Sequence, residues 1–212
     1  MTRRRSRRHS RKAPTLILIL VSAAALLAAF GVWKAWNFIR EYRASQHAYD
    51  ELILEASARN GVDPNLVKAV IWRESRFRPY VRGSSGEIGL MQIMPDKAAV
   101  DWAERNHQTL PSRGALYTPR LNIEIGSWYL ANAIRRWSGY RDGLVLALCE
   151  YNAGITRASA WKPVDRNGDV RGRITISSTL SYVNAILAKY EEYQKTWIKD
   201  QPQPQSSGRK KK

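Results

Sequence analysis

A run of nineteen residues without a charge, TLILILVSAAALLAAFGVW at positions 15–33, constrains this chain more than any other feature. At about 1.5 Å rise per residue, a helix of that length spans about 28 Å, close to the ~30 Å hydrocarbon core of a bilayer. Arg3, Arg4, Arg5, Arg7, Arg8, Arg11 and Lys12 precede it. Trp33, Lys34, Trp36, Arg40 and Tyr42 close or follow it, a mixture typical of a membrane interface. Charge on both sides argues against a buried helix of a globular core. Two readings remain: a transmembrane anchor, or a signal segment with small residues near positions 22–25. The apolar run continues well past those small residues, which favours the uncleaved anchor. Positive charge on its N-terminal side places residues 1–14 in the cytoplasm and everything after residue 33 outside it.

The charge balance follows the same division. The chain carries 35 Lys and Arg against 18 Asp and Glu, a formal +17. Such an excess ordinarily suggests nucleic acid or an anionic surface. Seven basic residues, however, lie in the first twelve positions, and Arg209, Lys210, Lys211 and Lys212 end the chain. Without them, 24 basic residues face 18 acidic ones, and no nucleic-acid reading motif is present. Nucleic acid is therefore not expected as a partner. With 44% hydrophobic and 10% aromatic residues, wholesale disorder is excluded. A single cysteine, Cys149, excludes an intramolecular disulfide and a multi-Cys zinc site. His9, His47 and His107 form no close pair, so no metal site and no cofactor are expected.

Residues 34–48 read as an amphipathic juxtamembrane helix or linker, 49–197 as one compact domain, and 198–212 as a disordered basic tail. Within the domain, residues 50–60 form a helix closed by Gly61. Asp63 caps a second helix with Pro64 in its first turn, running to about residue 75. Residues 78–95 are expected as a loop or small hairpin, with Pro95 leading into a helix. Helices follow over 122–137 and 142–152, the latter stopped by Gly154. Residues 155–176 read as irregular, and Ser177 or Ser178 caps a last helix to about residue 197. Few segments alternate at period two, so the fold is expected to be mainly α.

The helix after Pro64 contains the first chemically informative residue. Leu66, Val67, Val70 and Ile71 form its apolar stripe, and Glu74 continues that stripe four residues after Val70 and three after Ile71. Burial of a carboxyl group raises its pKa, as a general acid near neutral pH requires. The competing reading is a salt bridge from Glu74 to Arg73, Arg76 or Arg78. Glu74-Ser75 is followed by Gly89-Leu90-Met91-Gln92-Ile93-Met94-Pro95, with Gln92 eighteen residues after Glu74. Then come Glu150-Tyr151-Asn152-Ala153-Gly154 and Ser181-Tyr182-Val183. From about residue 51 to 193, this pattern resembles the catalytic domain of SLT-type (soluble lytic transglycosylase-like) murein lytic transglycosylases.

The resemblance implies a mainly α, lysozyme-like domain with an active-site cleft. It implies cleavage of the β-1,4 bond between N-acetylmuramic acid and N-acetylglucosamine in peptidoglycan glycan strands, leaving 1,6-anhydromuramic ends. On this basis Glu74 is the expected catalytic acid and base. Gln92, Tyr151 and Asn152 are expected at the substrate, with Tyr182 an aromatic residue near Glu74. Ser75 and Met91 complete the expected substrate-binding set, Met91 with Met94 as cleft wall. Together with the membrane segment, this implies a single-pass bacterial inner-membrane protein whose catalytic domain lies in the periplasm.

Only Glu74 has a clearly suitable setting, whereas most glycosidases use two carboxylates. One suffices when the substrate's own 2-acetamido group stabilises C1 and its C6 hydroxyl closes the anhydro ring. Gln92 and Asn152 can each donate and accept hydrogen bonds for that task, and Tyr151 and Tyr182 offer stacking faces and hydroxyls. The hydroxyl of Tyr182 can also hold Glu74. Three positions depart from the family pattern. Glu150 stands where Ala is common, either as a second cleft carboxylate or as a solvated charge. Gly83 stands where Ser is common, with Ser84 or Ser85 as substitutes. Ser178 stands where an acidic residue is common. Two alternatives follow: a hydrolytic muramidase like goose-type lysozymes, with Glu87 or Glu150 positioning water, or a non-catalytic peptidoglycan-binding scaffold.

Overall fold

A computed structural model describes residues 12–197; the basic stretch before them and the tail after them, expected to be cytoplasmic and disordered respectively, lie outside the described residues. The chain divides into two units, Met1–Ser45 and Gln46–Lys212. The first is built on α1 (Lys12–His47), a single helix that passes unbroken through the positions read as a linker. Leu18, Leu26, Leu27 and Phe38 on it are each about 70% exposed. A helix whose apolar residues are exposed over such a length is what a lipid environment accommodates. Among the described residues, it is the one helix long and apolar enough to cross a membrane.

Among its described residues the second unit contains seven α-helices: α2 (Asp50–Asn60), α3 (Pro64–Ser75), α4 (Ala98–Arg105), α5 (Pro119–Trp137), α6 (Gly143–Ala153), α7 (Ile155–Trp161) and α8 (Ser177–Thr196). Among the described residues there is no strand; Arg82, Ile88 and Ile93 form two isolated antiparallel bridges in the loop between α3 and α4. The expected starts and stops have clear causes. Gly61 closes α2 in the left-handed conformation at φ 67°, and the Asp63 side chain accepts the Asn65 N–H at 2.8 Å to cap α3. Thr118 and Pro119 start α5 three residues before the expected position. Gly154 ends α6.

At the centre lies α6, whose residues Val145, Leu146, Ala147, Leu148 and Cys149 are all buried. It packs against α5, α7 and α8, while α3 packs against α8 and α2 against α5. One short helix differs from the sequence reading. Residues 155–161 form α7 rather than an irregular stretch, and Ala158 and Trp161 bury against the core. Trp161 is buried, and its indole N–H donates to Thr175 Oγ1. The last helix begins at Ser177 but has no side-chain cap.

The C-terminal end of α8 is fastened by charge. Lys68 on α3 is 1% exposed, with Nζ 2.5 Å from Asp50 Oδ1 and 4.0 Å from the centre of the Trp197 ring. The Trp197 indole N–H donates to the other Asp50 oxygen at 2.8 Å. A buried ammonium is tolerated only when paired, and here a carboxylate and an aromatic face share that role.

Candidate active site

Glu74 occupies the penultimate position of α3, at a point where the backbone turns sharply. Arg76 and Phe77 take left-handed conformations at φ 54° and 61°, an arrangement that costs roughly 1–3 kcal/mol per non-glycine residue. Local contacts hold it. The Arg76 guanidinium lies 3.6 Å from the Trp72 ring centre, Phe77 is buried, and the Arg78 backbone and side-chain N–H groups both donate to the Ser75 carbonyl. Gln92, the other motif residue, also has positive φ, at 49°. Of the four non-glycine residues with positive φ among the described residues, three therefore flank or form the expected site.

Glu74 itself is half-buried, and Tyr182 on α8 donates its hydroxyl to Glu74 Oε1 at 2.5 Å. Burial pushes the Glu74 carboxyl up to about 7. The Tyr182 hydrogen bond and the Arg73 charge act downward, and the Glu87 charge acts upward. Burial prevails because the nearest partner is a neutral hydroxyl rather than a cation. The expected alternative, a salt bridge from Glu74 to Arg73, Arg76 or Arg78, does not form. Tyr182 is 2% exposed and offers no stacking face to a ligand, so its position fits holding Glu74 rather than contacting sugar.

A cleft of about 290 Å³ lies between the α3–α4 loop and the ends of α6 and α7. Gln92, Tyr151 and Asn152 line it together, as does Met94. Their hydrogen bonds narrow the expected roles. Gln92 Nε2 donates to the Val81 and Gly89 carbonyls, which leaves its Oε1 as an acceptor. Asn152 Oδ1 accepts from Thr179 Oγ1 at 2.8 Å, which leaves its amide N–H groups as donors. Tyr151 donates its hydroxyl to the Met91 carbonyl at 2.8 Å and meets Tyr129 edge-on at 5.7 Å.

Two expected substrate residues have other positions. Ser75 is 1% exposed, and its hydroxyl donates to the Ile71 carbonyl within α3. Met91 is fully buried and packs against Gly126 of α5, where an added Cβ would come within 2.4 Å of its sulfur. Both residues brace the site from behind. Glu150 is also corrected as a solvated charge: it is 3% exposed, accepts the Trp137 indole N–H at 2.7 Å, and sits 3.3 Å from Arg136 Nε, while still bordering the cleft.

Two supporting residues, Asn122 and Thr179, escaped the sequence reading of the site. Asn122 of α5 is fully buried; it donates to the Ile88 and Leu116 carbonyls and accepts the Met91 N–H, which fixes the loop carrying Gln92. Its signal was present, since Asn122 shares a helix face with Ile125 and Gly126, a polar side chain on a buried stripe just like Glu74. Thr179, which orients Asn152, had no comparable signal. Gly83, where the family pattern has Ser, is explained by space: an added Cβ would lie 2.2 Å from Glu87 Oε2 and 2.8 Å from Gln92 Oε1. The Glu87 carboxylate fills the volume where a serine side chain was expected, and Ser85 contributes its backbone N–H to that carboxylate at 3.0 Å.

The Transglycosylase SLT domain family model matches residues 51–171. The Escherichia coli K12 protein called Soluble lytic murein transglycosylase is 29% identical over 178 residues, covering 80% of this chain and 26% of the relative. The Edwardsiella ictaluri protein called Membrane-bound lytic murein transglycosylase C is 40% identical over 86 residues, covering 40% of this chain and 24% of the relative. The chain thus spans about a quarter of the length of these relatives. Among solved structures, the 70 kDa soluble lytic transglycosylase from Escherichia coli superimposes with a TM-score of 0.64 at 29% identity, over 70% of this chain and 24% of that one. An inactive mutant of lytic transglycosylase Slt from Pseudomonas aeruginosa gives 0.64 at 26% identity, over 74% of this chain and 25% of that one. The mainly helical, lysozyme-like expectation is borne out, and with more than half of its length matched, this chain belongs to the Transglycosylase SLT domain family.

Proposed function

We infer that this protein is a membrane-anchored peptidoglycan lytic transglycosylase that cuts the MurNAc-β-1,4-GlcNAc bond without water and leaves 1,6-anhydroMurNAc ends. The observation that carries the reading is Glu74, pushed up to about 7 by burial and held on one oxygen by Tyr182. Near neutral pH such a group exists in both forms, as a residue that first gives and then takes a proton requires. Protonated Glu74 gives its proton to the leaving glycosidic oxygen. The substrate's 2-acetamido carbonyl stabilises C1, as in substrate-assisted glycosidases. The carboxylate then removes the C6 hydroxyl proton as that oxygen closes on C1, and the acid form returns. The Asn152 amide, oriented by Thr179, donates to a substrate carbonyl in the cleft, and Tyr151 forms part of its wall. The names of the relatives support the activity class.

The membrane reading rests on the exposed apolar length of α1 and on the basic residues before it, which orient the N-terminus toward the cytoplasm and the catalytic unit toward the periplasm. A reporter fused after residue 197 that is active only inside the cytoplasm would overturn that orientation. The activity is tested by mass spectrometry of muropeptides released from purified peptidoglycan by the full chain and by Glu74→Gln. Anhydromuramic products from the unaltered chain alone are expected. Digestion in ¹⁸O water separates the hydrolytic alternative, because only hydrolysis labels the new end.

A further inference from the structure

Two acceptor oxygens converge at one edge of the cleft, and among the described residues the Ser85 backbone N–H is the one donor to either of them. Glu87 Oε2 and Gln92 Oε1 both approach the point where Gly83 would carry a Cβ, at 2.2 and 2.8 Å. Gln92 cannot turn its amide nitrogen there, because that nitrogen already serves the Val81 and Gly89 carbonyls. Glu87 receives the Ser85 backbone N–H, and among the described residues it forms no ion pair. Both residues line the cleft. A half-buried carboxylate beside an amide oxygen is an arrangement that calls for an N–H or O–H from a ligand.

We propose that Glu87, its carboxylate seated in the volume that Gly83 leaves free, is a second functional carboxylate of this site, and that with Gln92 it accepts a hydrogen bond from the N–H of the substrate's N-acetyl group. The inference rests on the transglycosylase reading and deepens it. An anion accepting that N–H makes the acetamido carbonyl a better donor of electron density to C1 and fixes its direction. It also explains why one acid suffices for proton transfer while a second carboxylate is present: Glu87 handles no proton of the reaction. Glu74 is faced by Arg73 of α3, Tyr151 of α6, Tyr182 of α8 and Glu87 of the loop. Glu87 shares its cleft with Lys97, Arg157 and Glu150.

The test compares the full chain with Glu74→Gln, Glu87→Gln and Gly83→Ala on N-acetylated peptidoglycan across pH 5 to 9, roughly the span around neutrality in which a carboxyl near 7 titrates. Anhydro products from the unaltered chain and none from Glu74→Gln establish the underlying reading. In Glu87→Gln the new amide nitrogen would satisfy Gln92 Oε1 and close the acceptor pair. The expected result is a fall in kcat/KM of about 10- to 100-fold with anhydro products retained. Loss of the neighbouring negative charge also moves the alkaline limb of the pH profile to lower pH. Gly83→Ala, whose Cβ displaces the same carboxylate, should lose a similar factor while melting as a folded domain. Glu87→Gln within twofold of the unaltered kcat/KM would overturn the proposal, wherever its alkaline limb lies. So would ¹⁸O-labelled reducing ends that vanish in Glu87→Gln, which would assign Glu87 to water. If the unaltered chain releases nothing, the proposal fails together with the reading beneath it.

Discussion

Glu74 and Glu150 both sit on apolar helix faces near the same cleft, yet their surroundings differ in kind. Glu74 is met by a tyrosine hydroxyl, and burial pushes it up to about 7. Glu150 places one oxygen against both an indole N–H and the Arg136 guanidinium. The first arrangement leaves a proton in play. The second ties α5 to α6, because Trp137 and Arg136 lie at the end of one helix and Glu150 on the other. Burial alone therefore does not identify the acid of a site; the charge of the nearest partner does.

The contrast can be broken experimentally, beginning with its largest effect. Glu74→Gln should lower turnover by about 10³-fold or more, at the upper end of what general acid–base catalysis contributes. Initial rates of muropeptide release would measure it. The same variant should be the more stable protein at alkaline pH. An acid whose pKa rises from about 4.5 unfolded to about 7 folded favours folding below 4.5, and that contribution is lost as pH rises through 7. Denaturant melts at pH 8 should show Glu74→Gln ahead by up to about 3 kcal/mol, with the gap shrinking toward pH 4.5. Glu150→Ala should do the opposite: destabilise by about 1–3 kcal/mol through an unpaired indole N–H, with activity per folded molecule far less affected than in Glu74→Gln. Thermal melts beside active-fraction-corrected rates would separate the two. The smallest expected effect is that of Tyr182→Phe. Removing a hydrogen bond that favours ionised Glu74 should move the alkaline limb to higher pH and lower turnover by about tenfold. A limb moving to lower pH would contradict the assignment of that hydroxyl.

The sequence made the Glu74 region legible because one rule covered it: a polar residue at i+3 and i+4 on an apolar stripe is drawn inward. The same rule, applied to Asn122, would have found the residue that braces the Gln92 loop. Ser75 and Met91 show its limit, since motif membership does not say which way a side chain faces. Helix α7 escaped because seven residues are too few to display a period, and its helicity depends on burying Ala158 and Trp161. The Gly83–Glu87–Gln92 arrangement escaped for a different reason. Loop residues share no periodic face, so the shared volume of a missing Cβ and a carboxylate exists only in three dimensions.

The fastening of α8 has a consequence for the order of events during synthesis. Glu74 receives its tyrosine partner from a residue 108 positions later, and Lys68 waits for Trp197 before its charge is fully housed. A chain still emerging from the ribosome therefore carries the acid without its support, and a buried cation without its aromatic cover. A nascent chain shorter than residue 197 lacks part of the structure that gives Glu74 its character. The surroundings of Glu74 are thus completed last, by residues late in the sequence.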